Sequence, residues 1–273
     1  MLTPGYGYGS ILRVDLTEKK VNVEPVPANW AKRFIGGAGI NDWLLWNHFL
    51  SVDPSIDTRS QDKVLIAGLG PLGDTGLGLG SKMKWTFKGP AYGIFGDSVS
   101  GGTLGANLRW AGIDYLVVTG RAKAPVYLWI DDGEIEIREA QNIWGKGVPE
   151  AITAIRNEVN DKEAAVACIG PAGENLVAYA SIIVTPSRAA GRCGAGCVAG
   201  SKNLKAIAAR GSRGVPVYNA PEFLEITREI FQRLETDPTN EGFRKHGTLG
   251  IAGFYDRIGG NAYRNNQFSK VPD

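Results

Sequence analysis

A run of ten residues returns one hundred positions further along this chain. Residues 65–74 read Leu-Ile-Ala-Gly-Leu-Gly-Pro-Leu-Gly-Asp, and residues 165–174 read Ala-Val-Ala-Cys-Ile-Gly-Pro-Ala-Gly-Glu. Each run is an apolar strand, then Gly-Pro-x-Gly and an acid, followed by a second strand and a loop of small residues. Those loops are Val99-Ser100-Gly101-Gly102 in the first half and Arg188-Ala189-Ala190-Gly191-Arg192 in the second. A duplicated half-domain predicts a pseudo-twofold platform whose two equivalent loops hold two copies of one ligand. Chance similarity between glycine-rich segments is the alternative. Glycine makes up 37 of the 273 residues, about twice the usual ~7%, with no Gly-X-Y period. Such an excess lets backbone rather than side chain approach a partner closely.

With 43% apolar and 21% charged residues, the chain has the composition of a globular protein, which excludes intrinsic disorder. Its length fits one large domain, or one domain plus an appendage. The net charge is +2 and the basic residues are scattered, so neither nucleic acid nor an anionic membrane is an expected partner. No apolar run reaches the ~18 residues of a spanning helix, and residues 1–10 lack the pattern of a secretion signal. The expected location is the cytoplasm. Three cysteines, Cys168, Cys193 and Cys197, are too few and too odd for a disulfide framework.

Short apolar runs between glycine clusters predict strands at 11–16, 21–26, 64–67, 84–88, 115–119, 126–130, 134–137, 164–169, 177–184 and 204–209. Asp132-Gly133 marks a tight hairpin. Val148, Ile152, Ile155 and Val159 share one helical face, with Pro149 suited to the first turn. A second helix follows Asn219-Ala220-Pro221 and carries Phe223, Ile226, Ile230, Phe231 and Leu234. From about Val215 the glycine loops thin out and the pattern turns helical. The expectation is an α+β fold of two related, intertwined β-sheet halves with flanking helices over 1–212, and the beginning of a helical domain over 213–273.

Gly68-Leu69-Gly70-Pro71-Leu72-Gly73 is a literal G-x-G-x-x-G after an apolar strand. A dinucleotide fold needs a helix to open there and an acid ~20 residues later. Residues 74–81 hold more glycines instead, and 88–93 contain no Asp or Glu, so a structural turn is expected. Cys193-x-x-x-Cys197 lacks the four ligands of a structural zinc or a cubane cluster. Cys168 reads as a small hydrophobe in a buried strand, His48 as a packed or surface residue, and His246 falls in the weakly patterned tail. The segment from Ser100 to Asn107 reads as a strand-to-helix junction whose free amides suit phosphate or carboxylate, or simply as a tight helix start. Arg188 and Arg192 flank the matching loop and suit bidentate binding of an anion.

At these residues the chain resembles the N-terminal domain of the aldehyde ferredoxin oxidoreductase family, tungsten-containing or molybdenum-containing bis-pterin enzymes. The marks are Gly9-Ser10-Ile11-Leu12-Arg13-Val14-Asp15-Leu16-Thr17, Phe34-Ile35-Gly36-Gly37, Gly70-Pro71-Leu72-Gly73, Trp110-Ala111-Gly112-Ile113-Asp114 and Ile143-Trp144-Gly145-Lys146. Others are Ile169-Gly170-Pro171-Ala172-Gly173-Glu174-Asn175, Arg188-Ala189-Ala190-Gly191-Arg192 and Gly200-Ser201-Lys202-Asn203-Leu204-Lys205-Ala206-Ile207. The resemblance implies two related sheets, each supporting one of two pyranopterins whose dithiolenes hold the metal, with Mg2+ bridging their phosphates. It assigns the pterin moieties to Lys82, Ser100, Gly101, Arg188, Ala189 and Gly191, and the magnesium to the backbone carbonyls of Val99 and Ala189. Lys82 stands where the family has Arg, which keeps the charge but loses the planar fork. Val99 replaces an Asn, which matters little if only its backbone takes part. Cys193 and Cys197 stand at places usually held by small residues.

The resemblance further implies an enzyme that oxidises an aldehyde to a carboxylic acid and passes electrons through a [4Fe-4S] cluster to ferredoxin. Relatives act on other substrates, including aromatic thioesters. Family enzymes continue for hundreds of residues, and the cluster cysteines and the acid and histidine groups near the metal lie in those later domains. No catalytic residue is therefore expected within these 273 residues. The missing C-terminal domains, or a second subunit, are expected partners, as is a homo-oligomer. A nucleotide-binding module and a non-catalytic, truncated scaffold stay open as other readings.

Overall fold

The computed structural model describes residues 9–51, 55, 63–77 and 82–271. The chain divides into two compact units, Met1–Tyr218 and Asn219–Asp273. In the first half of the first unit the elements are β1 (Ser10–Asp15), β2 (Lys20–Pro25), α1 (Ala28–Phe34), α2 (Ala38–Ser51), β3 (Leu65–Leu69), β4 (Met83–Lys88), β5 (Phe95–Ser100), α3 (Leu104–Trp110) and β6 (Ile113–Thr119). In the second half they are β7 (Val126–Asp131), β8 (Glu134–Glu139), α4 (Val148–Glu158), β9 (Ala165–Cys168), α5 (Pro171–Glu174), β10 (Ile182–Val184), β11 (Arg188–Ala190), α6 (Ala195–Ser201) and β12 (Leu204–Arg210).

The strands form two six-stranded sheets of the same topology. The first runs β2-β1-β6-β3-β4-β5 and the second, read in the same sense, β8-β7-β12-β9-β10-β11. In each, one pair is parallel, β1 with β6 and β7 with β12, and every other pair is antiparallel. Adding six to each strand number turns one sheet into the other, so the sequence repeat is a structural duplication rather than chance. The two Gly-Pro-x-Gly runs follow β3 and β9.

The sheets share one interior, built from Leu12, Trp85, Leu116, Leu128, Ala167 and Ile207 among others. The outer face of the first sheet packs against α1 and α2 through Ala31, Ile40 and Leu44. That of the second packs against α4 through Ala151 and Ile155. Central strands buried on both faces read as continuous apolar runs rather than alternation, which is why 115–119 and 204–209 were recognisable. Helix α3 touches β9 and β12 of the other half, and α6 touches β3 and β4. This exchange of helices intertwines the halves.

Three sequence expectations need adjustment. The strand expected at 177–184 is confined to Ile182–Val184. Residues 177–180 form a turn closed by Ala180 N–H to Val177 O at 2.9 Å, and Ala180 O accepts the Gly196 N–H at the start of α6. Second, the two loops of small residues contain strand, β5 and β11, at the outer edges of the sheets. Third, helices α1 and α2 fall in a segment to which the sequence assigned no element. The hairpin at Asp132-Gly133 is present, with φ of 45° and 101° joining β7 to β8.

Gly68 in β3 is a packing glycine, since a Cβ there would overlap Asn41 Oδ1 and lie 2.5 Å from the Tyr115 ring. Gly68→Ala is expected to cost about 1–3 kcal/mol, the usual penalty for overfilling a packed core, read as a lowered midpoint in urea. The second unit is helical. It comprises α7 (Ala220–Thr236), whose Asn219 cap accepts the Glu222 N–H, then α8 (Glu241–His246) and α9 (Ala252–Arg257).

Candidate functional site

The literal G-x-G-x-x-G is a turn. β3 is antiparallel to both neighbours and residues 71–74 follow it as turn with no helix. A buried cation holds that turn. Arg109, 5% exposed, donates from Nη1 to Gly70 O at 2.8 Å and from Nη2 to Pro71 O at 3.0 Å, with Asp114 at 3.8 Å. Burial pushes the Asp114 and Asp74 carboxyls above the usual range, and Arg109 opposes the shift in both.

The second half has a different device at the equivalent place. Lys205 pairs with Glu174, the acid of the second Gly-Pro-x-Gly run, and also donates to Lys146 O at 2.9 Å. Glu174 accepts the Gly145 N–H at 2.8 Å. Sequence reasoning missed both anchors. Their signal is visible once the halves are superposed, because Asp114 and Lys205 are charges at matching points of two apolar strands, β6 and β12.

Edge position makes the two loops available. β5 and β11 are the last strands of their sheets, so each keeps one edge of backbone outside the ladder. The two strands pack against each other. Register pairs Met83 with Ser100, which brings Lys82, just before β4, alongside Gly101. A Cβ on Gly101 would lie 3.6 Å from Arg188 Cγ, so Arg188 of the second half extends over the first half's loop. Val99, Lys82, Arg188, Ala189, Gly191 and Arg192 are exposed. Ser100 points the other way: its side chain is buried and its Oγ accepts the Trp85 indole N–H at 2.8 Å, leaving only main chain to a ligand.

The loops carry uncompensated positive charge. Asp97 on β5 is taken by Lys84, and among the described residues no carboxylate pairs with Lys82, Arg188 or Arg192. Two cationic, glycine-floored edges that meet suit a ligand with two phosphates and broad flat faces. The cysteines offer little to a metal. Cys168 and Cys197 are buried, and burial above all pushes the Cys168 thiol up to about 12. Among the described residues no group of three or more His, Cys, Asp or Glu is placed to hold a metal ion, and no helix is long and apolar enough to cross a membrane.

The profile of the aldehyde ferredoxin oxidoreductase N-terminal domain matches residues 11–211, both sheets from β1 to β12. The chain belongs to the aldehyde ferredoxin oxidoreductase family. It is 40% identical over 269 residues to the tungsten-containing aldehyde ferredoxin oxidoreductase of Pyrococcus furiosus, a match covering 98% of this chain and 44% of that protein. It is 36% identical over 264 residues to the aliphatic sulfonate oxidoreductase, WOR-like subunit, of the same organism, covering 91% and 41%. Among solved structures, the active-site complex BamBC of benzoyl coenzyme A reductase with 1,5-dienoyl-CoA superposes with a TM-score of 0.80 at 32% identity, over 86% of this chain and 36% of that one. This family member thus spans less than half the length of the relatives it matches.

Proposed function

We propose that this chain is the cofactor-binding part of a tungsten (or molybdenum) bis-pyranopterin oxidoreductase that converts aldehydes to carboxylic acids in the cytoplasm, with ferredoxin as electron acceptor. What carries the reading is the meeting of two equivalent sheet edges, with Gly101 beneath Arg188 and three exposed cations free of carboxylate partners among the described residues. In this reading residues 1–212 bind the cofactor and 213–273 begin a helical second domain. Lys82, Arg188 and Arg192 neutralise the pterin phosphates. The main chain at Ser100, Gly101, Ala189 and Gly191 lies against the pterins, and the carbonyls of Val99 and Ala189 face Mg2+. When bound, the cofactor supplies the redox chemistry, a two-electron oxidation in which oxygen comes from water. The residues here bind and orient it. The [4Fe-4S] ligands, the proton-handling groups and the substrate pocket belong to further polypeptide, in the same or a second subunit, and homo-oligomers are compatible.

Likeness to the benzoyl coenzyme A reductase complex keeps an aromatic thioester as the second substrate class. The deciding measurement is elemental analysis with pterin fluorescence on protein purified anaerobically from a tungsten-replete host. About one tungsten or molybdenum and two pterins per chain are expected. Protein without either is a scaffold, and a nicotinamide or adenine nucleotide that raises its melting temperature would make it a nucleotide-binding module.

A further inference from the structure

We propose that Ser181 is a further ligand-binding residue, the second half's counterpart of Lys82, whose hydroxyl donates to the phosphate of the ligand half lying on Gly191. This rests on the bis-pterin reading above. The assignment follows from strand register in the duplicated sheets.

In the first sheet Leu69 pairs with Met83 and Met83 with Ser100, so one step beyond the strand ends Lys82 lies between Gly70 and Gly101. In the second sheet Ile183 pairs with Cys168 and Ile182 with Ala190. The same extension puts Ser181 between Gly170 and Gly191. Gly70 and Gly170 are equivalent in the sequence repeat, and the register therefore superposes Ser181 on Lys82 and Gly191 on Gly101. Each residue immediately precedes its strand, β4 or β10.

Direct geometry agrees, since a Cβ on Gly191 would lie 3.9 Å from Ser181 Oγ. Ser181 is half-buried, and among the described residues its hydroxyl has no hydrogen-bond partner. A hydroxyl beside a bare glycine floor is a free donor for an anionic oxygen. A neutral group suffices here because the second loop brings its own cations, Arg188 and Arg192, whereas residues 98–102 of the first loop are Ser-Val-Ser-Gly-Gly. There the charge has to come from Lys82.

The test compares the parent with Ser181→Ala, Ser181→Lys and Ser181→Asp, each as the full chain purified anaerobically from a tungsten-replete host. Tungsten and pterin retained per chain are followed through anaerobic dialysis, and the cofactor-stripped proteins are melted. Ser181→Ala is expected to release metal and pterin about 10-fold faster, the scale of one hydrogen bond to a charged group. Ser181→Lys, which copies the first half-site, is expected to retain them at least as long as the parent, and Ser181→Asp to lose them faster than Ser181→Ala. The stripped Ser181→Ala protein is expected to melt with the parent, because no bond within the protein is removed. Ser181→Ala that retains cofactor like a loaded parent, or Lys and Asp variants that release it alike, overturns the assignment of Ser181 alone. So does a stripped Ser181→Ala protein that melts well below the parent, which would make the hydroxyl a structural group. A parent without pterin overturns the bis-pterin reading and this assignment with it.

Discussion

Lys205→Met is expected to remove about 3–5 kcal/mol of stability, the cost of leaving a buried charge without its partner. The Lys205 side chain is 0% exposed and that of Glu174 4%. Glu174 retains only the Gly145 N–H among the donors described here, while Lys146 O loses its ammonium. The damage extends beyond the pair. Glu174 ends α5, whose Gly173 carbonyl presses on Gly200 of α6 so closely that a Cβ there would overlap it, and α6 follows directly on the 188–192 loop. Replacing both partners, Lys205→Met with Glu174→Leu, is expected to recover most of the loss, because well-packed apolar groups substitute for a buried pair at little net cost. Denaturant unfolding of the two variants checks this. A single variant that loses less than about 1 kcal/mol, the scale of an exposed ion pair, would show that water reaches Glu174.

The same comparison of halves explains what could be read from the residues and what could not. The repeat was legible because β3 and β9 are central strands with the same Gly-Pro-x-Gly run after them, and topology then follows for every strand pair. Helix α4 was legible because Ile152, Ile155 and Val159 pack on one sheet face, giving a clean period. β5 and β11 were not, because edge strands face solvent or the other half and carry Phe-Gly-Asp-Ser-Val-Ser and Arg-Ala-Ala, sequences without alternation. The anchors were hidden for another reason. Arg109 and Lys205 act on turns 38 and 31 residues away or more, and no local pattern announces such a bond. Loop residues such as Arg188 were legible only as parts of a repeated segment. The bond from the Arg192 N–H to Ser98 Oγ and that between the Thr103 and Thr185 hydroxyls, across 94 and 82 residues, required coordinates.

Gly101→Ala and Gly191→Ala are expected to leave the fold as stable as the parent and to lower cofactor loading by about 10- to 100-fold. Glycines in this chain fall into two groups. Gly68, Gly102 and Gly200 are needed by the protein itself, since a Cβ on any of them would overlap protein atoms. Gly101 and Gly191 are different. Neither has a positive φ, and the nearest atoms to a built Cβ lie 3.6 Å away for Gly101 and 3.9 Å for Gly191, ordinary van der Waals contact. Alanine fits at both, and by restricting the unfolded chain adds up to about 0.4–1 kcal/mol. Nothing in the folded protein therefore accounts for glycine at these two equivalent loops, whereas a flat ligand lying on the main chain does. A methyl group between ligand and backbone costs about 1–3 kcal/mol when neither side can retreat, which is the 10- to 100-fold loss in loading. Metal and pterin content at matched melting temperature separates the two effects. Variants that load like the parent would mean that the cofactor lies elsewhere than on the main chain of β5 and β11.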